Sequence, residues 1–184
     1  MIKTISIKSK IYNKEHEFHI AKIWIDEFPN IKCDFDNTFS KTCELNDFII
    51  KKSKRICIEI SLLRHASNYA LLGLEYMPFN NSLLQVEILY NSKNKDKFIS
   101  DIGLLNQEYK YCGLLEDYTS GIFEGIEKFY KNNIGCSGKL TFNISANCEV
   151  GSSKMIFNKA TSILLNILHE DFIHDDRIKE LLQE

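Results

Sequence analysis

The sequence predicts an α+β fold in which helices cover one face of a mostly antiparallel sheet, and three patterns carry that expectation. Apolar and polar residues alternate, strand-like, through most of residues 1–90. From Leu114 a three-to-four-residue period replaces the alternation. One clean alternating run then returns, followed by a second apolar stripe of helical period. Residues 1–184 read as a single domain, with 1–54 a hairpin-rich extension of the sheet and 55–184 its core.

Ile5, Ile7 and Ile11 precede Asn13-Lys14, and Phe18, Ile20, Ile23 and Ile25 follow it, so the chain should open with a β-hairpin. Pro29-Asn30 breaks the pattern, Ile31–Phe35 reads as a short third strand, and Thr42–Lys52 as a modest helix. Ile56, Ile58 and Ile60 alternate with Cys57 and Glu59 in a strand. Tyr69–Tyr76 is the next, and Leu84, Val86 and Ile88 mark another after the turn Pro78-Phe79-Asn80-Asn81. Asn91–Lys97 is a polar loop.

Leu114, Tyr118, Ile122, Ile126 and Phe129 or Tyr130, flanked by Leu115 and Phe123, predict an amphipathic helix of about four turns. Leu140, Phe142, Ile144, Ala146 and Cys148 alternate perfectly, as a half-buried strand does. Gly151-Ser152-Ser153 then offers hydroxyls to a helix start, ahead of the stripe Ile156, Phe157, Ala160, Ile163, Leu164, Ile167 and Leu168. Asp175 is the expected cap of a short terminal helix carrying Ile178, Leu181 and Leu182.

Hydrophobic residues at 44% and charged residues at 26% are ordinary globular values, which argues against disorder. No apolar run approaches the roughly 18 residues of a membrane span, and Met1–Ile7 alternates where a signal peptide would show a solid apolar block. A soluble cytoplasmic protein without membrane partners is expected. The six cysteines form no Cys-x-x-Cys pair, so free thiols are the expectation. A net charge of −2 gives no global attraction to phosphate, so nucleic-acid binding would need a local patch. Only Lys51, Lys52, Lys54 and Arg55 cluster, as a basic turn.

Phosphate-cradling and dinucleotide-binding glycine strings are both absent from the sequence. Gly135-Cys136-Ser137-Gly138 lacks the strand-to-helix setting of a nucleophile elbow and reads as a turn. His16 and His19 sit three apart on a strand and point to opposite faces. His169, Asp171, His174 and Asp175 suit a polar helix end better than a metal site. Cys112 would be a nucleophile only with His65 or His169 beside it. Glu116-Asp117 suits a first helical turn by its dipole. No cofactor and no metal are expected.

Three segments carry a resemblance. Asn68-Tyr69-Ala70-Leu71-Leu72-Gly73-Leu74-Glu75-Tyr76-Met77-Pro78 has a glutamate near a proline at its end and is followed by Leu83–Tyr90. In Glu116–Ile126, Tyr118 is followed seven positions later by Gly125 and then Ile126. Cys148-Glu149-Val150-Gly151-Ser152-Ser153 leads into a helix with Phe157 and Ala160. Together, residues 68–168 resemble the fourth domain of bacterial translation elongation factor G. Its strand begins glycine, glutamine, tyrosine, and its tip reads histidine, acid, valine, aspartate, serine, serine. This chain departs at Cys148, where the family has histidine, and at Gly151, where it has aspartate.

The resemblance implies a split βαβ fold with a left-handed crossover, as in the second domain of small-subunit ribosomal protein five. It also implies that Cys148, Glu149, Val150, Gly151, Ser152 and Ser153 form a tip that meets RNA or the ribosome. Residues 1–60 do not resemble the factor's other domains, and no GTPase domain precedes the segment, so translocation itself is not expected. The expected function is a non-enzymatic binding module associated with the ribosome or RNA, its tip near the basic turn. The alternative is a protein-interaction module, self-associating through the N-terminal hairpin. The third is an enzyme of scattered residues, which a pocket joining Cys112 to a histidine would favour.

Overall fold

A computed structural model describes residues 1–11, 14–62, 68–100, 102, 109–170 and 174–183, with residues 7–11, 14–19, 98 and 183 as backbone alone. The first half holds β1 (Ile2–Ile11), β2 (Lys14–Ile25), β3 (Asn37–Glu44), β4 (Phe48–Ile49), β5 (Lys54–Ser61), β6 (Tyr69–Pro78) and β7 (Leu83–Tyr90). There follow β8 (Lys97–Phe98), β9 (Lys110–Cys112), α1 (Glu116–Asn132), β10 (Gly135–Cys136), β11 (Gly138–Cys148), α2 (Lys154–His169) and α3 (Asp175–Gln183).

The protein is α+β, with a mixed, mostly antiparallel sheet in the order β1-β2-β5-β6-β11-β7-β3. β9, carrying β8, pairs with β11 beyond the stretch that β7 covers. Among the described residues of this sheet only β11 and β7 run parallel, Gly138–Phe142 against Leu84–Ile88. A two-residue parallel ladder also joins β4 to β10. β11 lies between β6 and β7, so the consecutive strands β6 and β7 do not touch as a hairpin, and α1 makes the connection from β7 to β11.

The helices lie on one face. The stripe of α2, from Ile156 and Phe157 to Ile167 and Leu168, is buried with Ile122, Ile126 and Phe129 of α1 against Ile56, Ile58, Leu72, Leu74, Val86 and Phe142. Each such side chain contributes about 1.5–3 kcal/mol when fully removed from water. Ile178, Leu181 and Leu182 of α3 join the same core. Gly125 brings α1 close to α2: a methyl group there would stand 2.9 Å from the Thr161 Cβ and 3.0 Å from the Asn158 carbonyl oxygen. Tyr118, two turns before Gly125, stacks on Phe157 with ring centres 5.1 Å apart.

The other face carries a smaller core of Trp24, Cys57, Tyr69, Leu71, Ala146 and Cys148, against which Phe28 and Ile31 pack. The central strands are therefore covered on both sides, and β5 is buried from Ile56 to Ser61, Glu59 included. Two expected elements are different. Ile31–Phe35 crosses the sheet face without forming a strand, and the helix expected over Thr42–Lys52 does not form. In its place β3 runs through Glu44, and Phe48-Ile49 pairs with Gly135-Cys136. Thr38, Thr42 and Phe39 favour extended backbone, and β7 supplies the ladder that a local reading cannot see.

Residues 1–54 thus furnish both borders of the sheet, β1 and β2 outside β5 and β3 outside β7. The hairpin turn residue Asn13 lies outside the described residues. Asp175 is the first residue of α3 and not its cap; its carboxylate accepts a hydrogen bond from the Lys3 ammonium at 3.0 Å. Among the described residues no helix is long and apolar enough to cross a membrane.

Candidate functional site

Strand β11 connects the two segments singled out by the sequence. Its beginning, Gly138, lies beside Pro78, and Ala146 near its end lies beside Leu71. Lys54 at the start of β5 pairs with Tyr76, and Ser61 at its end with Tyr69. The basic turn and the tip therefore occupy opposite ends of the sheet, about 23 Å apart along the strand. They are not neighbours, which corrects the sequence expectation; antiparallel pairing put the start of β5 next to the end of β6.

At the tip, the hydroxyl pair is engaged with the chain itself. Ser152 Oγ accepts a hydrogen bond from the Cys148 N–H at 2.8 Å and donates to the Tyr69 carbonyl at 2.7 Å. Ser153 caps α2, accepting from Ile156 N–H at 3.4 Å. The Gly151 carbonyl accepts from the Asn68 and Tyr69 N–H groups, and its φ of 124° suits glycine. Cys148 is buried, its thiol directed to the Val150 carbonyl at 3.2 Å. Of the six tip residues, Glu149 and Val150 present their side chains to solvent, Val150 at 70% exposure. Partial desolvation and then the Glu149 carboxylate, which accepts its hydroxyl, push the Tyr111 phenol up.

Beneath the tip lies a buried carboxylate that a reading of alternation misses. Glu59 is 1% exposed and accepts the Tyr69 hydroxyl at 2.8 Å, while the Lys110 ammonium stands 4.5 Å over the Tyr69 ring. Burial, then the Glu59 charge, hold the Tyr69 phenol well above its ordinary range. An acid flanked by isoleucines, as in Ile58-Glu59-Ile60, was the available signal.

At the other end, Lys51, Lys52 and Lys54 line a cleft of about 620 Å³ with Asp26, Ile50, Ser53 and Leu168. An adjoining cleft of about 370 Å³ shares Asp26, Ser53 and Lys54 and continues past Arg55, Glu75, Tyr76 and Met77. Lys54 and Arg55 are held by the fold. Lys54 Nζ donates to the Ile167 carbonyl at 3.0 Å, where the last turn of α2 leaves carbonyls without helical partners. Arg55 Nε donates to Glu75 at 2.8 Å. Asp26 takes a left-handed φ of 65°, and its N–H bonds the Arg55 carbonyl at 2.7 Å, tying the end of β2 to the start of β5.

Behind the lysines, Cys136 Sγ lies 3.1 Å from His169 Nε2. Desolvation pushes the Cys136 thiol up to about 11. The same burial, followed by the Lys51 charge, lowers His169 below its usual 6.5. Both groups are therefore neutral at pH 7, and Phe129 packs on the imidazole with ring centres 4.9 Å apart. With Cys136 fully buried, this contact fastens β10 to the end of α2 and offers no thiolate to solvent.

Ser137, next in the chain, has the Phe79, Asn81 and Leu83 carbonyls within reach of its single hydroxyl proton, so Gly135–Gly138 acts as a structural turn. Cys112, the other thiol considered as a nucleophile, donates to Cys33, and burial raises it to about 11. His65 and Asp171 lie outside the described residues, as do the side chains of His16 and His19. Among the described residues no group of His, Cys, Asp and Glu could hold a metal. All six cysteines are free.

No protein family, no curated protein and no solved structure matches this chain.

Proposed function

We propose that this chain is a non-enzymatic cytoplasmic binding module that takes the phosphate backbone of an RNA strand along the basic cleft, in association with the ribosome. The observation that carries the reading is the gathering of Lys51, Lys52 and Lys54 on one concave surface that continues to Arg55. On a protein of net charge −2, a local cluster is what can attract phosphate. Asp26 and Glu75 offset part of that charge. Few phosphates are then neutralised, and the binding has a shallow salt dependence, about 0.7 in log–log slope per phosphate on a single strand.

The resemblance to the fourth domain of elongation factor G supplies the ribosomal side of the reading, and the β7–α1–β11 connection is compatible with it. Glu149 and Val150 are the tip residues available to a partner. Ser152 and Ser153 serve the fold, so exchanging them would confound binding with stability.

The test is recovery of the tagged protein from its host's lysate, with and without nuclease and at two salt concentrations. Ribosomal proteins that co-purify and are lost on nuclease or salt treatment are the expected result. Recovery of one stoichiometric non-ribosomal protein, indifferent to nuclease, would overturn the reading.

A further inference from the structure

Strand β3 closes one side of the sheet, and all eight of its residues are exposed. Among the described residues its outer edge pairs with no other strand. Such an edge presents alternating N–H and C=O groups to any extended chain, and proteins usually blunt it with proline, bulges or outward lysines. β3 has no proline, and its ladder with β7 runs without a register shift from Asn37↔Tyr90 to Glu44↔Leu83. Its single basic residue, Lys41, reaches back to Glu127 of α1 at 3.4 Å. Phe39 likewise turns to the helix, its ring 4.6 Å from that of Phe123. Among the described residues β3 therefore keeps one lysine, turned toward α1, and has neither a proline nor a bulge.

We propose that a second copy of this chain docks on β3, antiparallel, about a two-fold axis at Ser40, joining the two sheets into one. The register follows from the strand. Identical copies offer the same alternating set of outward backbone groups, so a residue must face one of like parity, and the axis passes between two copies of a single residue. The two central residues of β3 are Ser40 and Lys41. An axis at Lys41 sets two ammonium groups opposite each other, which is destabilising.

An axis at Ser40 pairs Ser40 with Ser40, Phe39 with Lys41, Thr38 with Thr42 and Asn37 with Cys43. That arrangement places a cation beside an aromatic ring and two β-branched threonines together, both favourable cross-strand pairs. Asp36 and Glu44 meet at each end of the ladder; Asp36 already has Lys95 at 3.6 Å and Ser92 as partners. The association uses one strand from each copy, so it is smaller than a standard interface of about 800 Å² per partner and dissociates on dilution.

The test places a thiol on the axis. In a Cys43→Ser chain free of RNA, Ser40→Cys and, separately, Thr42→Cys are equilibrated with glutathione and its disulfide, and covalent dimer is read on non-reducing gels. Sedimentation of the unaltered chain runs alongside. The expected result is a concentration-dependent dimer and efficient cross-linking at position 40. Position 42 should stay largely uncross-linked, because its two copies stand about 13 Å apart along the ladder. A chain that remains monomeric overturns the proposal, as does equal or preferential cross-linking at 42. So does capture of a different protein at position 40 in lysate in place of the second copy. Both substituted positions are exposed, and neither touches the basic cleft.

Discussion

The two ends of β11 contain polar clusters of similar size that are used in opposite ways. At the tip, Ser152 joins Cys148 to Tyr69, Ser153 caps α2 and Gly151 anchors the start of β6, so the polar atoms are turned inward to the chain. At the basic end, the fold fixes Lys54 and Arg55 on Ile167 and Glu75, and the surface they leave is a cleft. A motif-like string can therefore be wholly structural. A bare cluster of charge can define a concave surface once a distant helix end closes over it.

Substitutions at the two ends should separate these uses. The largest stability effect is expected for Ser152→Ala, which leaves the Cys148 N–H and the Tyr69 carbonyl without their partner. Urea unfolding should register a loss of about 1–3 kcal/mol. Ser153→Ala removes a helix cap with a long bond and should cost about 0.5–1 kcal/mol in the same measurement.

The Cys136–His169 contact adds a pH dependence at the basic end. Because folding lowers the His169 pKa, the unfolded chain binds more protons near its unfolded value of 6.5. The associated stability is present above that value and lost as pH falls through the lower folded pKa. Thermal melts between pH 7.5 and 5 should show that loss, and His169→Gln should reduce it; an unchanged slope would mean the imidazole titrates freely.

Smallest of all should be the stability change in a Lys51→Ala, Lys52→Ala double variant or in Glu149→Ala, each within about 0.5 kcal/mol by urea unfolding. A loss at the lysines as large as that at Ser152 would erase the distinction between the ends.

What the sequence made legible follows from the range of the interactions. Helices α1 and α2 and strands β5, β6, β7 and β11 each bury a face, and their periodicity records it. β3 buries none, so no apolar alternation distinguished it from a helix; its pairing comes from β7, about forty to fifty residues away. The candidate residues at both ends were identifiable as strings. Their roles were not, because Ser152 depends on Tyr69, Lys54 on Ile167 and Cys136 on His169, contacts 83, 113 and 33 residues apart.

The most direct measurement is the affinity of a single-stranded RNA oligonucleotide as a function of salt for the unaltered chain, the Lys51→Ala, Lys52→Ala variant and Glu149→Ala. If the basic cleft holds the phosphate backbone, the double-lysine variant binds more weakly and its log–log salt slope is shallower by about 1–1.5, while the folding midpoint stays in place. Unchanged affinity and slope in that variant, or no RNA binding by the unaltered chain at low salt, would contradict it.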